Sequence, residues 1–278
     1  MIRRFVGSLI ALAVASLAIA PARAAAQTAP ARPSAARSAS SMPRRPDGKP
    51  NMEGFWQIGP GIAITNLLEE HPAGFGIVAS KRIIVDPPDG KIPYQGWAAA
   101  ERDRRKRPEN GYEDPEGKCA LGGVPHQYAI GRFQILQPRG YVLLMYEYIH
   151  AYRQIPLDER PHLPQGVRLW QGDSVGRWEG DTLVIDTTNF NGIPWMGIGG
   201  DFTSDAAHVV ERLTMADART IKFEVTVGDP KVFTRPLVMA YPFVRADDGP
   251  VVETDCHETN VDLEHIKNLY DQARGREK

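Results

Sequence analysis

The chain has 278 residues, 33 lysines and arginines against 34 aspartates and glutamates, a formal charge of −1 and 42% hydrophobic residues. That composition belongs to a folded protein of one large domain or two small ones and excludes disorder throughout. Balanced charge argues against nucleic acid as a partner, which needs a basic face. The 23 prolines and 26 glycines, scattered without period, exclude a helical bundle or coiled coil.

Arg3 and Arg4 precede an apolar run over 5–20, and Ala22-Arg23-Ala24 or Ala24-Ala25-Ala26 offers the small-x-small pattern of signal-peptide cleavage. Residues 1–26 therefore read as a secretory signal, with the mature protein in the periplasm or secreted. The apolar run is shorter than the roughly 20 residues that span a bilayer, so no membrane insertion of the mature chain is expected. Residues 27–45 are Ala, Pro, Ser and Arg with no apolar period, the composition of a disordered linker. A single β domain is expected over 46–262, entered through the turn Pro46-Asp47-Gly48-Lys49-Pro50, with a C-terminal helix or tail over 263–278.

Within that domain a strand over 80–85 stops at Pro87-Pro88-Asp89-Gly90, and a helix is expected near 95–106. The basic residues Arg102, Arg104, Arg105, Lys106 and Arg107 are interrupted by Glu101, Asp103 and Glu109 and read as a solvated helix face. Strands follow over 133–137 and over 141–155, the longest extended run. Residues 174–178 and 182–190 form a hairpin about Glu179-Gly180-Asp181, where Gly180 can take positive φ. A second hairpin joins 208–213 to 220–227, in which Ile221, Phe223, Val225 and Val227 alternate with Thr220, Lys222, Glu224 and Thr226 as in a half-buried antiparallel strand. Strands over 232–243 and 251–258 and a helix near 263–274 complete the chain. The fold class is all-β, an antiparallel meander that closes as a barrel or stacks as a β-sandwich.

Cys119 and Cys256 are the only cysteines, and in an exported chain they read as a disulfide. The alternative is a nucleophilic thiol at Cys256 with His257 as base, which strand geometry disfavours because neighbours point to opposite faces.

Candidate chemistry concentrates in two segments. Taken as one strand, 141–155 places Tyr146, Tyr148, His150 and Tyr152 on one face and Glu147 with Arg153 on the other. A pocket built there has His150 as base and tyrosine hydroxyls as ligand contacts; the plainer alternative is an aromatic girdle. In the second segment His208 and Arg212 share a face with Val210, and Glu211 shares the other with Val209 and Leu213. Asp186 is placed to orient an imidazole. The expected catalytic residues are thus His150, His208 and Asp186, with Tyr146, Tyr148, Arg153, Glu211 and Arg212 binding substrate. A lumen lined by His208, Arg212 and His150 would be polar. No phosphate-binding glycine loop, dinucleotide fingerprint, hydrolase elbow or metal-ligand spacing occurs, so neither cofactor nor metal is expected.

The strings Pro46-Asp47-Gly48-Lys49-Pro50, Gly54-Phe55-Trp56, Tyr146-Glu147-Tyr148-Ile149-His150 with its continuation to 158, 172–190, and His208-Val209-Val210-Glu211-Arg212 resemble a family of secreted, mostly uncharacterised bacterial proteins. The resemblance covers nearly all of the mature chain and implies a bacterial exported protein; it carries no catalytic residues. Gly54-Phe55-Trp56 also resembles the Gly-x-Trp opening of lipocalin-like barrels, which implies a Trp closing the barrel floor. Together these readings give an exported, cofactor-independent enzyme of lyase, isomerase or hydrolase type acting on a small organic molecule in a barrel cavity. The alternatives are a lipocalin-like carrier of an apolar or phenolic ligand and a structural envelope component.

Overall fold

The computed structural model describes residues 42–64, 68–74, 78–247, 249–252 and 254–259, together with four isolated positions nearer the C-terminus. The signal expected over 1–26 and nearly all of the linker expected over 27–45 lie outside the described residues, as does most of the helix expected near 263–274. The linker's last residues, 42–45, do not stand apart from the domain: Arg44 pairs in a β-bridge with Pro50 and its guanidinium meets Asp181 at 2.7 Å.

The chain folds as a nearly closed antiparallel barrel. Its strands are β1 Gly54–Ile58, β2 Ile84–Asp86, β3 Phe133–Leu136, β4 Tyr141–Tyr146, β5 Tyr152–Pro156, β6 Asp173–Glu179, β7 Thr182–Thr188, β8 His208–Asp217, β9 Thr220–Gly228 and β10 Leu237–Arg245. Helix α1 spans Gly96–Arg105, as its composition predicts, and α2 is a single turn at Cys256–Thr259. The order around the sheet is β5-β4-β3-β1-β10-β9-β8-β7-β6, so β1 joins the two meanders by pairing with both β3 and β10. Short β2 pairs with the other end of β10, at Val238 and Met239. The barrel reading is therefore the right one, and the sandwich alternative falls.

Alternation dictates the lumen. In β8, Val209, Glu211 and Leu213 are buried while His208 is exposed, and β9 buries Ile221, Phe223, Val225 and Val227. At the β6–β7 turn Gly180 takes φ +61°, a left-handed conformation that a hairpin of this length needs and only glycine adopts at no steric cost. Trp56 on β1 is fully buried, its indole N–H donating to the Met52 carbonyl at 2.8 Å.

Two extended runs end differently from their sequence pattern. Residues 141–155 are not one strand but the hairpin β4–β5, with Ile149 and His150 both at positive φ where the chain reverses. No Gly, Pro, Asn or Asp marks that turn; it is closed by the Ala151 N–H donating to the Tyr148 carbonyl at 3.3 Å and the Tyr146 N–H donating to the Ala151 carbonyl at 2.9 Å, while the Glu147 carboxylate accepts the backbone N–H of Arg132 at 3.0 Å. Residues 251–258 do not extend the sheet either. A Tyr148–Thr254 bridge is followed by α2, because Cys256 is tied to Cys119 in the predicted disulfide, across 137 residues of sequence, and Asp255 accepts the His257 N–H.

Candidate functional site

The lumen is filled rather than hollow. A short 3₁₀ turn at His126–Ala129 inserts Tyr128 among Phe133, Tyr146, Phe223 and Phe243, with ring centroids 5.0 to 5.5 Å from its own. Beside these rings lies one ion pair: Arg153 from β5 and Glu211 from β8, bonded at 2.6 and 3.1 Å. Tyr128 Oη donates to Glu211 Oε1 at 2.8 Å, and Arg153 also reaches Ser174 and Thr187 at 3.0 and 3.3 Å. Burial pushes the Tyr128 hydroxyl far above its ordinary value, with the Glu211 charge adding to the effect. Arg153, Glu211 and Tyr146, expected to bind substrate, are thus brought together as a buried polar core.

The expected lumen of His208, Arg212 and His150 does not form. Arg212 faces outward on β8 and meets Glu179 at 2.9 Å. His150 is exposed in the β4–β5 turn, and the strand registers put that turn and His208 at opposite ends of the barrel. The hairpin reversal breaks the parity that had grouped His150 with the tyrosines: Tyr146 is buried, Tyr152 exposed, and the half-buried Tyr148 donates to Cys256 Sγ at 3.3 Å.

His208 and Asp186 do meet, on the outer face at the end of the barrel where β8 begins. Both Asp186 oxygens accept from His208 Nε2 at 3.0 Å. A second imidazole completes the arrangement: His162 Nε2 lies 3.0 Å from Asp186 Oδ1, and its Nδ1 lies 3.1 Å from Asp173 Oδ2. Asp173 is in turn held by Arg160 at 2.6 and 3.1 Å and by the Leu163 N–H at 2.9 Å. The row runs Arg160, Asp173, His162, Asp186, His208, each side chain within hydrogen-bond distance of the next.

Local sequence explains how loop residues come to be held so firmly. Pro161 and Pro164 flank His162-Leu163 and fix φ on either side. Asn189, at φ +62° just beyond β7, donates its side-chain N–H groups to the carbonyls of Leu163, Pro164 and Val167 at 2.9 to 3.1 Å and so pins the segment to the barrel. Gly172, at φ +69°, precedes Asp173; a Cβ there would lie 2.6 Å from the Thr188 carbonyl oxygen, so the approach of β6 to β7 at Asp173 requires glycine. His162 was not singled out from the sequence, because a lone histidine between prolines has no period to place it.

Electrostatically the pair reinforces itself. The hydrogen bond to Asp186 raises the His208 pKa above its ordinary 6.5 against the opposing effect of partial burial. The bond from His208 is likewise the main reason the Asp186 carboxyl is held below its usual range, with His162 adding to it. With Nε2 committed to Asp186, the nitrogen left to His208 for other chemistry is Nδ1. His208 also lines a cleft of about 510 Å³, together with Gln95, Asp229, Phe233, Arg235 and Pro236, among others. Among the described residues no cluster of His, Cys, Asp or Glu has metal-binding geometry, and no helix is long and apolar enough to cross a membrane.

No protein family matches the chain, and no curated protein matches it either. Among solved structures, a point mutant of the fluorescent protein UnaG is similar over 42% of this chain and 72% of its own, at 17% identity and a TM-score of 0.25. A superposition at that level assigns neither ligand nor role.

Proposed function

We propose that this protein binds a small organic molecule carrying an acidic hydroxyl or carboxyl group in the outer cleft beside His208. The observation that carries this reading is the His208–Asp186 pair at the edge of that cleft. Its volume falls in the range of small-ligand pockets, and its lining combines an apolar wall, Phe233 and Pro236, with His208 and with Arg235, which is itself held by Asp86. An acidic ligand donates its proton to Nδ1, and the imidazolium formed is stabilised from behind by Asp186. The signal-like N-terminus and the Cys119–Cys256 bridge support export, since a structural disulfide persists in an oxidising compartment. A second reading rests on the same pair. A carboxylate-oriented imidazole is also a general base, and then the bound molecule is changed rather than held.

Amide NMR titration with phenol, phenylacetate and para-hydroxybenzoate tests the proposal. Saturable shifts at Gln95, His208, Phe233 and Arg235 that vanish in His208→Ala are expected. Absence of shifts at millimolar probe, or shifts that persist unchanged in the variant, overturns it. Recovery of the probe unaltered after long incubation favours binding, and a new product favours the base.

A further inference from the structure

We infer that His162 is a positioning residue: clamped between Asp173 and Asp186, it fixes the Asp186 carboxylate so that His208 keeps Nε2–H toward Asp186 and presents Nδ1 to the cleft. This deepens the reading above and rests on it for its functional meaning, but its geometry stands alone.

Asp186 lies within β7, paired with Val175 of β6 and Val210 of β8, but its side chain on the outer face is one-quarter exposed, so water competes for its oxygens. His208 by itself is half exposed and cannot immobilise it. The rigid partner is His162. Its far nitrogen contacts Asp173, which is only 5% exposed and carries three further hydrogen bonds, two from Arg160 and one from the Leu163 backbone. The segment bearing His162 is fixed in addition by the three Asn189 bonds. Each His162 contact is a hydrogen bond when the nitrogen concerned carries a proton. Positional order therefore passes outward from a buried anchor to an exposed base, as hydrogen-bonded outer partners orient a ligating or catalytic imidazole.

The charged groups around the pair are Arg160 and Asp173 behind His162, with Asp229 and Arg235 across the cleft from His208. Asp229 is turned away onto Ser204 and the backbone of Lys231 and Val232, and Arg235 onto Asp86. Neither competes with Asp186 for His208.

The sign of one measurement separates positioning from mere proximity. If His162 were only a neighbouring cation, its removal would relieve repulsion and raise the proton affinity of His208. If it positions Asp186, its removal frees the carboxylate and lowers that affinity. Side-chain NMR titration of His208 in the unliganded full chain is the experiment, with Asp186→Asn as the reference for complete loss. His162→Phe is expected to reduce the proton affinity of His208 at least threefold and to mix its tautomers, while His162→Gln, which keeps one donor for Asp186, restores part of the effect. An unchanged or increased affinity in a His162→Phe protein with native amide dispersion overturns the inference. Asp173→Asn, predicted to shift His208 in the same direction by a smaller factor, supplies the readout if His162→Phe does not fold. Because the measurement needs no ligand, a lowered affinity beside failed probe binding would retain the positioning role and discard the binding reading.

Discussion

The Arg153 guanidinium of β5 and the Glu211 carboxylate of β8 face each other through two hydrogen bonds inside the barrel, both side chains almost entirely out of solvent. The strands β5 and β6 end the sheet and share no backbone ladder among the described residues. Arg153 bridges that seam, reaching Ser174 on β6 and Thr187 on β7 before it meets Glu211. Gly176 on β6 helps, since a Cβ there would lie 2.8 Å from Ile155 of β5.

Removing one partner of this pair strands a charge in the core. Arg153→Met or Glu211→Leu is expected to destabilise the protein by about 3–5 kcal/mol, and the two together by clearly less than their sum, because the cost lies in the unpaired survivor. Urea unfolding of the single and double variants measures this. Strict additivity contradicts it.

Two buried tyrosines provide an internal contrast. Tyr128 donates to Glu211, whereas the Tyr241 hydroxyl is buried with no hydrogen-bond partner among the described residues. Tyr128→Phe is expected to cost about 1–3 kcal/mol and Tyr241→Phe to be neutral or stabilising by up to about 1 kcal/mol, since only the former breaks a bond to a charged group. The order of their denaturation midpoints decides.

Burial raises the Asp114 carboxyl to about 6, with the Glu116 charge beside it adding to the rise against the Glu116 N–H that lowers it. A carboxyl raised in the folded state is bound to its proton more tightly there than in the unfolded chain, so stability falls as pH climbs from its ordinary 3.8 through that value. Asp114→Asn keeps the acceptor used by Glu116 and removes the charge. It should stabilise the protein by about 1–3 kcal/mol at neutral pH and by almost nothing near pH 3. Thermal melts at both pH values check the sign; equal gain at both would refute it.

The Cys119–Cys256 bridge spans 137 residues and ties α2 to the segment before β3. Loop-closure entropy makes its loss worth at most about 5 kcal/mol, so Cys119→Ser with Cys256→Ser should lower the unfolding midpoint markedly while leaving the β-sheet circular dichroism in place at low temperature. A midpoint insensitive to the change would show that the bridge closes no ordered loop.

Alternation by itself determined that this chain is an antiparallel all-β meander: a period of two leaves β8, β9 and the β6–β7 hairpin one way to bury their apolar sets, and Gly180 marks a turn by its own steric freedom, whereas closure as a barrel rather than a sandwich came from the pairing of β1 with both β3 and β10. The disulfide was legible as well, because the sequence has only two cysteines, and the structure joins them. Alternation also brought Asp186 and His208 into view, since both lie near the same ends of adjacent strands. What tertiary structure decided is which polar groups share space. The reversal at Ile149–His150 carries no turn residue and is closed by backbone bonds between Tyr146, Tyr148 and Ala151, so the parity of Arg153 relative to Tyr146 could not be counted along the chain. His162 reaches Asp186 only because Asn189 and Asp173 pin a proline-flanked loop from elsewhere in the sequence, and hydrogen bonds of that kind, unlike hydrophobic period, leave no trace in the spacing of the residues that make them.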